Sequence, residues 1–321
     1  MSGGLDSTLA AKLVLDQGVE VIGLHLASPF GCLNDVNQSA ETLGIPLLIK
    51  EKGEAYLDLV KNPKFGYGKA MNPCIDCRIF MFELAEVVRQ EENADFIVTG
   101  EVLGQRPMSQ VRRSITVIDE ESDMGNRVVR PLSGKMMAPT LAETEGWLDR
   151  EKLLAIHGRG RKQQIALAKQ MGIAIYESPG GGCLLTETSF ASRLKDFFAH
   201  DENLSPKTRL AQSALVRLGR HFRLSASQKL IVGRNQEENR EMETLWQNSQ
   251  GWLLKPSGFS GPASIGVGPL TPKAVETAGQ IMLRYGKPTG TPKVLVSHGT
   301  ETKEYLVHTP IDEKTLETLR I

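Results

Sequence analysis

The chain of 321 residues has no excess of either charge: 38 Lys and Arg face 38 Asp and Glu, for a formal net charge of zero. That balance excludes a strongly basic tail, so any nucleic-acid site must be a local patch. Long apolar runs are lacking too. The stretch at 19–26 falls far short of the ~20 residues that span a bilayer, and no signal-peptide pattern is read ahead of it, so a cytoplasmic protein without membrane contact is expected. Four cysteines are too few to staple a secreted fold, which leaves reduced thiols available for chemistry. No internal repeat or low-complexity tract is found. What remains is ordinary globular composition, 40% hydrophobic and 24% charged, with a length that suggests about two domains.

Short β-branched or Leu-rich runs at 19–26, 45–50 and 94–99 predict buried strands. Helix patterns lie between them. Leu9, Leu13 and Val14 share a face before Gly18 ends that helix, and Phe80, Leu84, Val87 and Val88 repeat the pattern. This alternation predicts an α/β fold with a doubly wound parallel sheet, whose ligands bind beyond the carboxyl ends of the strands. A second stretch, 136–203, reads as mainly helical, with Pro139 and Gly146 as breaks and the loop Ser178-Pro179-Gly180-Gly181-Gly182-Cys183 inside it. The third, 204–321, alternates Gly and Pro with short runs at 229–232 and 293–296, as a small α+β module would.

The chain opens Met1-Ser2-Gly3-Gly4-Leu5-Asp6-Ser7-Thr8 and runs straight into a helix. Glycines let the backbone form a nest of amide donors, the helix start adds its positive dipole end, and Ser2, Ser7 and Thr8 add hydroxyls. The combination suits a pyrophosphate. No lysine stands where a Walker loop requires one. Ser-Gly-Gly-Leu-Asp-Ser resembles the PP-loop of the ATP pyrophosphatase family, which activates a carbonyl oxygen by adenylation. The resemblance implies ATP with Mg²⁺ held by Ser2, Gly3, Gly4, Asp6, Ser7 and Thr8, in a PP-loop (HUP-like) domain over 1–135. Because only Met1 precedes the loop, the sheet is expected to lack its first strand, either through a start codon placed too late or through truncation of the chain.

Asn72-Pro73-Cys74-Ile75-Asp76-Cys77-Arg78 stands at the start of the second helix pattern. Its spacing puts both sulfurs on one helical face, where the helix amino end is expected to lower thiol pKa values. A third thiol, Cys183, closes the triple-glycine loop. Three thiolates suit a 4Fe-4S cluster with one open iron, and the set resembles the cluster-dependent tRNA thiolases. A persulfide mechanism at Cys77 and Cys183 is the alternative, and a structural zinc would have to recruit Cys32 or a histidine. Cys32, in Ser28-Pro29-Phe30-Gly31-Cys32, reads more simply as a small buried hydrophobe.

Thr99-Gly100-Glu101-Val102-Leu103-Gly104-Gln105, with Ser109-Gln110, follows a strand end, so Thr99 and Gly100 are expected over the nucleotide; a solvated loop is the bland alternative. With Arg130-Pro131-Leu132 the string resembles the tRNA 4-thiouridine synthases, while the placement of Cys77 after Asn72-Pro73 resembles the tRNA-specific 2-thiouridylases. Together with the segment around Cys183, the pattern is most similar to the PP-loop proteins often labelled tRNA (5-methylaminomethyl-2-thiouridylate)-methyltransferases. No glycine-rich loop for a methyl donor accompanies it, and sulfur transfer fits the residues better.

Between 204 and 236 there is no acidic residue, whereas Lys207, Arg209, Arg217, Arg220, Arg223, Lys229 and Arg234 are cationic. Such segregation is the footprint of phosphate-backbone binding, with Arg217, Arg220, Arg223, Lys229 and Arg234 as the RNA contacts and His221 and Phe222 available to stack on bases. A solvated face paired with acids elsewhere is the alternative. Gly219-Arg220-His221-Phe222-Arg223 and Val232-Gly233-Arg234-Asn235 resemble the NFACT-type RNA-binding module. Taken together, the resemblances imply an ATP-dependent tRNA sulfurtransferase: Asp6, Cys74, Cys77 and Cys183 are catalytic, tRNA is the substrate, and sulfide, a persulfide or a carrier protein donates sulfur. An amide-forming PP-loop ligase and a non-catalytic RNA-binding adaptor are the competing functions.

Overall fold

The computed structural model describes residues 1–31, 36–173 and 183–321, so Cys32 and the glycines of the 178–183 loop lie outside the described residues. Two compact units form, Met1–Glu187 and Thr188–Ile321.

The first unit runs α1 (Leu5–Leu15), β1 (Gly23–Ala27), α2 (Val36–Leu43), β2 (Leu47–Glu51), α3 (Gly53–Lys61), α4 (Cys74–Glu91), β3 (Ile97–Val98), α5 (Arg112–Glu121), β4 (Val128–Val129), α6 (Leu141–Thr144) and α7 (Lys162–Gln170). The expected alternation is present, and its strands are parallel. Among the described residues they pair as β1 with β2 and β3 with β4, rather than as one continuous sheet. Met1 lies alongside β1, its amino group donating to the Leu24 carbonyl and its own carbonyl 2.9 Å from His25 Nδ1. The apolar face of α1, with Leu5, Leu9 and Leu13, packs with Val102, Leu132, Ile156 and Ala168, which draws α7 against it. In α4 the buried face is Phe82, Ala85 and Val88, while Val87 is 53% exposed. The face expected there is therefore rotated.

The second unit runs α8 (Thr188–Phe198), α9 (Pro206–Leu215), β5 (Arg220–Ser225), β6 (Gln228–Val232), α10 (Gln236–Leu245), β7 (Trp252–Ser260), β8 (Ser264–Val267), α11 (Pro272–Tyr285), β9 (Lys287–His298), β10 (Glu301–Leu306) and α12 (Glu313–Leu319). Its six strands form an antiparallel sheet in the order β10-β9-β7-β8-β6-β5. Side chains alternate across it. Phe222, Leu230, Val232, Trp252 and Leu254 pack under α11 and α12 on one face, whereas Ile231, Leu253 and Ile265 meet Leu215 and Met242 of α9 and α10 on the other. Both faces of the sheet are covered. Among the described residues no helix is long and apolar enough to cross a membrane.

Candidate active site

Gly3 takes a left-handed conformation, φ 68°, that a side chain would strain, and it turns the chain into α1 at Gly4. No side chain caps the start of α1, so its first amides stay available. Hydroxyls ring that start: Ser7 Oγ donates to Gly4 O at 2.9 Å, Thr8 Oγ1 donates to the same carbonyl at 3.2 Å, and Ser2 Oγ lies 3.2 Å from Ser7 Oγ. Free helix-start amides beside hydroxyl donors are what an anionic phosphate requires.

The loop after β3 closes on this cradle. A Cβ at Gly100 would stand 2.5 Å from Ser7 N and 2.6 Å from the Asp6 carbonyl carbon, so only glycine lets the two backbones approach this closely. Thr99 donates its amide to Val129 O at 3.0 Å. Glu101, Ser109 and Gln110 are all buried, which removes the solvated-loop reading of this stretch. Arg130 fastens the loop from below, with Nε 2.9 Å from Glu101 Oε2 and a two-pronged contact to Asp119 at 2.6 and 3.0 Å. A buried fork of this kind is costly to break because a partner's removal strands a charge.

Asp6 is the centre of a network that extends beyond the motif. Its Oδ2 accepts from Gln105 Nε2 at 2.7 Å and from Arg161 Nη2 at 3.3 Å, and Gln164 Nε2 donates to Gln105 Oε1 at 3.1 Å. Asp6 Oδ1, Arg161 Nε and Gln164 Oε1 are buried with no hydrogen-bond partner among the described residues. Each such atom costs about 1–3 kcal/mol unless something else satisfies it.

Tyr56 of α3 backs the Cys77 thiol. Cys77 Sγ lies 3.4 Å from the Tyr56 hydroxyl and 3.7 Å from Lys52 Nζ, and Lys52 Nζ sits 4.3 Å above the Tyr56 ring. Burial drives the Tyr56 pKa well above its ordinary value, and charge on Cys77, Cys183 and Cys74 pushes it the same way. Asn72 Nδ2 donates to Cys74 Sγ at 2.9 Å. The expectation that the helix start lowers thiol pKa values fails at Cys74, where burial raises it despite that hydrogen bond. The Cys183 segment is tied to the approach to Cys74, since Met71 N donates to Leu185 O at 3.0 Å. Among the described residues no group of three His, Cys, Asp or Glu side chains is arranged to hold a metal ion. Asp76 of the Cys-x-x-Cys turn is structural, its carboxylate receiving the amides of Lys64 and Phe65.

In the second unit most of the cations expected to contact RNA already hold acids. Arg217 pairs with Glu241, and Arg234 Nε contacts Glu238 at 2.9 Å. Arg223 and Lys229 share Asp196, at 2.6 and 2.8 Å. Arg220 instead lies over the Tyr285 ring, 4.5 Å from its centroid. His221 and Phe222 are both buried, one on each face of the covered sheet, so neither is placed to stack on a base. Burial also holds His221 largely neutral.

Sequence reasoning missed Lys52, Tyr56, Arg161 and Gln164. Only the last two carried a signal, the basic, glycine-broken string Gly158-Arg159-Gly160-Arg161-Lys162 that leads into α7.

Comparison with known families divides the chain in the same sense. Residues 1–138 match the family model described as thiamine biosynthesis protein (ThiI), and 219–320 match that of the NFACT protein RNA binding domain. A probable tRNA sulfurtransferase of Thermococcus kodakarensis is 32% identical over 140 residues, covering 42% of this chain and 36% of that protein. The tRNA-specific 2-thiouridylase MnmA of Syntrophotalea carbinolica is 35% identical over 116 residues, 31% of this chain and 32% of the relative. The chain thus spans about a third of the length of these curated relatives. A solved structure, the C-terminal part of the fibronectin/fibrinogen-binding protein from Streptococcus suis, covers 77% of this chain and 99% of its own at 10% identity and a TM-score of 0.28, too slight a likeness to argue from. The resemblance to PP-loop tRNA thiolases and that to NFACT RNA-binding modules are both borne out, each over its own part of the sequence.

Proposed function

We propose that this chain carries out ATP-dependent thiolation of tRNA. The observation that carries the reading is an uncapped, hydroxyl-ringed helix start in the same unit as a thiol, Cys77, set against Lys52 and a buried tyrosine. The α1 start with Ser2, Ser7 and Thr8 binds the ATP phosphates, and Thr99 and Gly100 close over them. Asp6 Oδ1 has the chemistry to hold Mg²⁺, which would neutralise phosphate charge. A base carbonyl oxygen of the tRNA attacks the α-phosphate, pyrophosphate leaves, and sulfur then displaces AMP from the activated carbon. Positioning and phosphate charge stabilisation are the protein's share of the work.

Sulfur delivery at Cys74, Cys77 and Cys183 belongs to the same proposal. Lys52 and the Tyr56 hydroxyl set a positive charge and a donor against the Cys77 sulfur. A 4Fe-4S cluster would need the sulfurs of Cys74, Cys77 and Cys183 around one position. Among the described residues they are not gathered in that way. RNA docking falls to residues 204–321, residues 136–203 connect it to the ATP-binding stretch at 1–135, and a cytoplasmic location suits the reaction. The two parallel strand pairs are read as parts of one doubly wound PP-loop sheet.

The test is pyrophosphate release by the purified chain with ATP and Mg²⁺, in the presence and absence of tRNA. Release that requires tRNA supports the reading, whereas release that responds to ammonia and ignores tRNA would assign an amide-forming ligase. No release under either condition would leave an RNA-binding adaptor.

A further inference from the structure

The buried polar atoms left unpartnered around Asp6 come from three different segments: the PP-loop (Asp6 Oδ1), the residue before α7 (Arg161 Nε) and α7 itself (Gln164 Oε1, in a fully buried side chain). They form one network through Gln105. α7 is nine residues long, and no side chain caps its start at Arg161. Arg159, Arg161 and Lys162 crowd cations at that start, and Asp6 is the acid against which Arg161 rests. The segment is held to the loop after β3, because Leu103 and His157 form a parallel bridge and Gly158 N donates to Leu103 O at 2.7 Å.

A basic, uncapped helix start beside the phosphate cradle, with the Arg161 Nε donor buried and unpartnered at its edge, suits an anion larger than one phosphate group. We propose that residues 158–162 form a second arm of the phosphate site, with Arg161 binding the β- and γ-phosphates of ATP and then the departing pyrophosphate. In this arrangement Asp6 keeps Arg161 in place until ATP arrives. The planar guanidinium then forks onto phosphate oxygens, and Gln105 and Gln164 continue to hold Asp6. The inference rests on the ATP reading above.

Isothermal titration of the full chain with ATP, inorganic pyrophosphate and AMP, each with Mg²⁺, separates the two claims. Arg161→Gln should weaken ATP and pyrophosphate about tenfold or more while AMP binding stays within about twofold, the difference being the loss of charge-assisted contacts to the outer phosphates alone. Arg161→Lys should recover part of the loss, because the charge remains and the fork does not. The exposed Arg159→Gln, which leaves the Asp6 contact intact, should weaken pyrophosphate by a smaller factor. Wild-type affinity for ATP and pyrophosphate in Arg161→Gln would overturn the inference while leaving the ATP reading standing. An equal loss of AMP binding would overturn it too, by making Arg161 a brace for Asp6. If the wild type bound neither ATP nor pyrophosphate, the ATP reading itself would fall and take the second arm with it.

Discussion

Gly100→Ala adds one methyl group where the structure leaves no room for it. The new carbon would sit 2.5 Å from Ser7 N and 2.6 Å from both the Asp6 carbonyl carbon and Ser7 Cα, and all three are backbone atoms that cannot rotate away. Relief requires the β3 loop and the α1 start to separate by a large fraction of an ångström. Overpacking of this kind costs about 1–3 kcal/mol, and for a unit of this size each kcal/mol lowers the melting temperature by roughly 2–4 °C. The separation also moves the amides and hydroxyls that face the phosphates, so ATP affinity should fall about tenfold, the equivalent of one displaced charge-assisted hydrogen bond. Differential scanning fluorimetry and calorimetric titration with ATP read the two effects. Gly160→Ala is the control for the melting temperature alone, since a methyl group there meets nothing within 4 Å. A Gly100→Ala protein with wild-type melting and wild-type ATP affinity would refute the argument that this close approach sets the geometry of the loop.

Lys229 should make stability depend on alkaline pH. Burial, partly opposed by Asp196, lowers its pKa from 10.5 to about 8. The unfolded chain therefore binds the extra proton between those values, and the contribution is unfavourable below about pH 8 and relieved as pH rises towards 10.5. The wild-type melting temperature should gain on that of Lys229→Met from about pH 7.5 to about pH 10, and a constant difference would contradict the assignment. For RNA, replacing Arg220 and Arg234 by Gln should weaken tRNA binding and flatten its salt dependence by about 0.7–0.9 per lost phosphate contact, with a small loss of melting temperature from the broken Arg234–Glu238 pair. Replacing Arg223 should lower the melting temperature, because it leaves Asp196 with Lys229 alone. Filter binding at several salt concentrations checks the first and fluorimetry the second; an unchanged slope in the double variant would make these cations a solvated face.

What the sequence revealed depended on the range of the interaction that encodes it. The turn into α1 was legible because Gly3, Gly4 and the hydroxyl residues determine their own local backbone and lie together. Cys74 and Cys77 were legible by spacing, yet Lys52 and Tyr56, which surround Cys77, come from another helix and carry no motif. The basic run misled at His221 and Phe222. A strand with one face open would expose one of two consecutive residues, and only the tertiary structure shows that helices cover both faces. The acids that pair with Arg217, Arg223 and Arg234 are Glu241, Asp196 and Glu238, all outside the acid-free stretch. The parallel α/β character was visible in the alternating pattern, but the split into two strand pairs follows from pairings that periodicity does not encode.

Thiolation itself is decided by mass spectrometry of tRNA nucleosides, after incubation of the purified chain with unmodified tRNA, ATP, Mg²⁺, a persulfide sulfur donor and a thiol reductant under anaerobic conditions. The expected product is a nucleoside in which sulfur has replaced one oxygen. It should form only when ATP is present, and it should be lost in Asp6→Ala, Cys77→Ala and Cys183→Ala but retained in Cys32→Ala. Pyrophosphate release without any sulfur-containing nucleoside, or thiolation that survives the loss of Cys77 and Cys183, would contradict the proposed function.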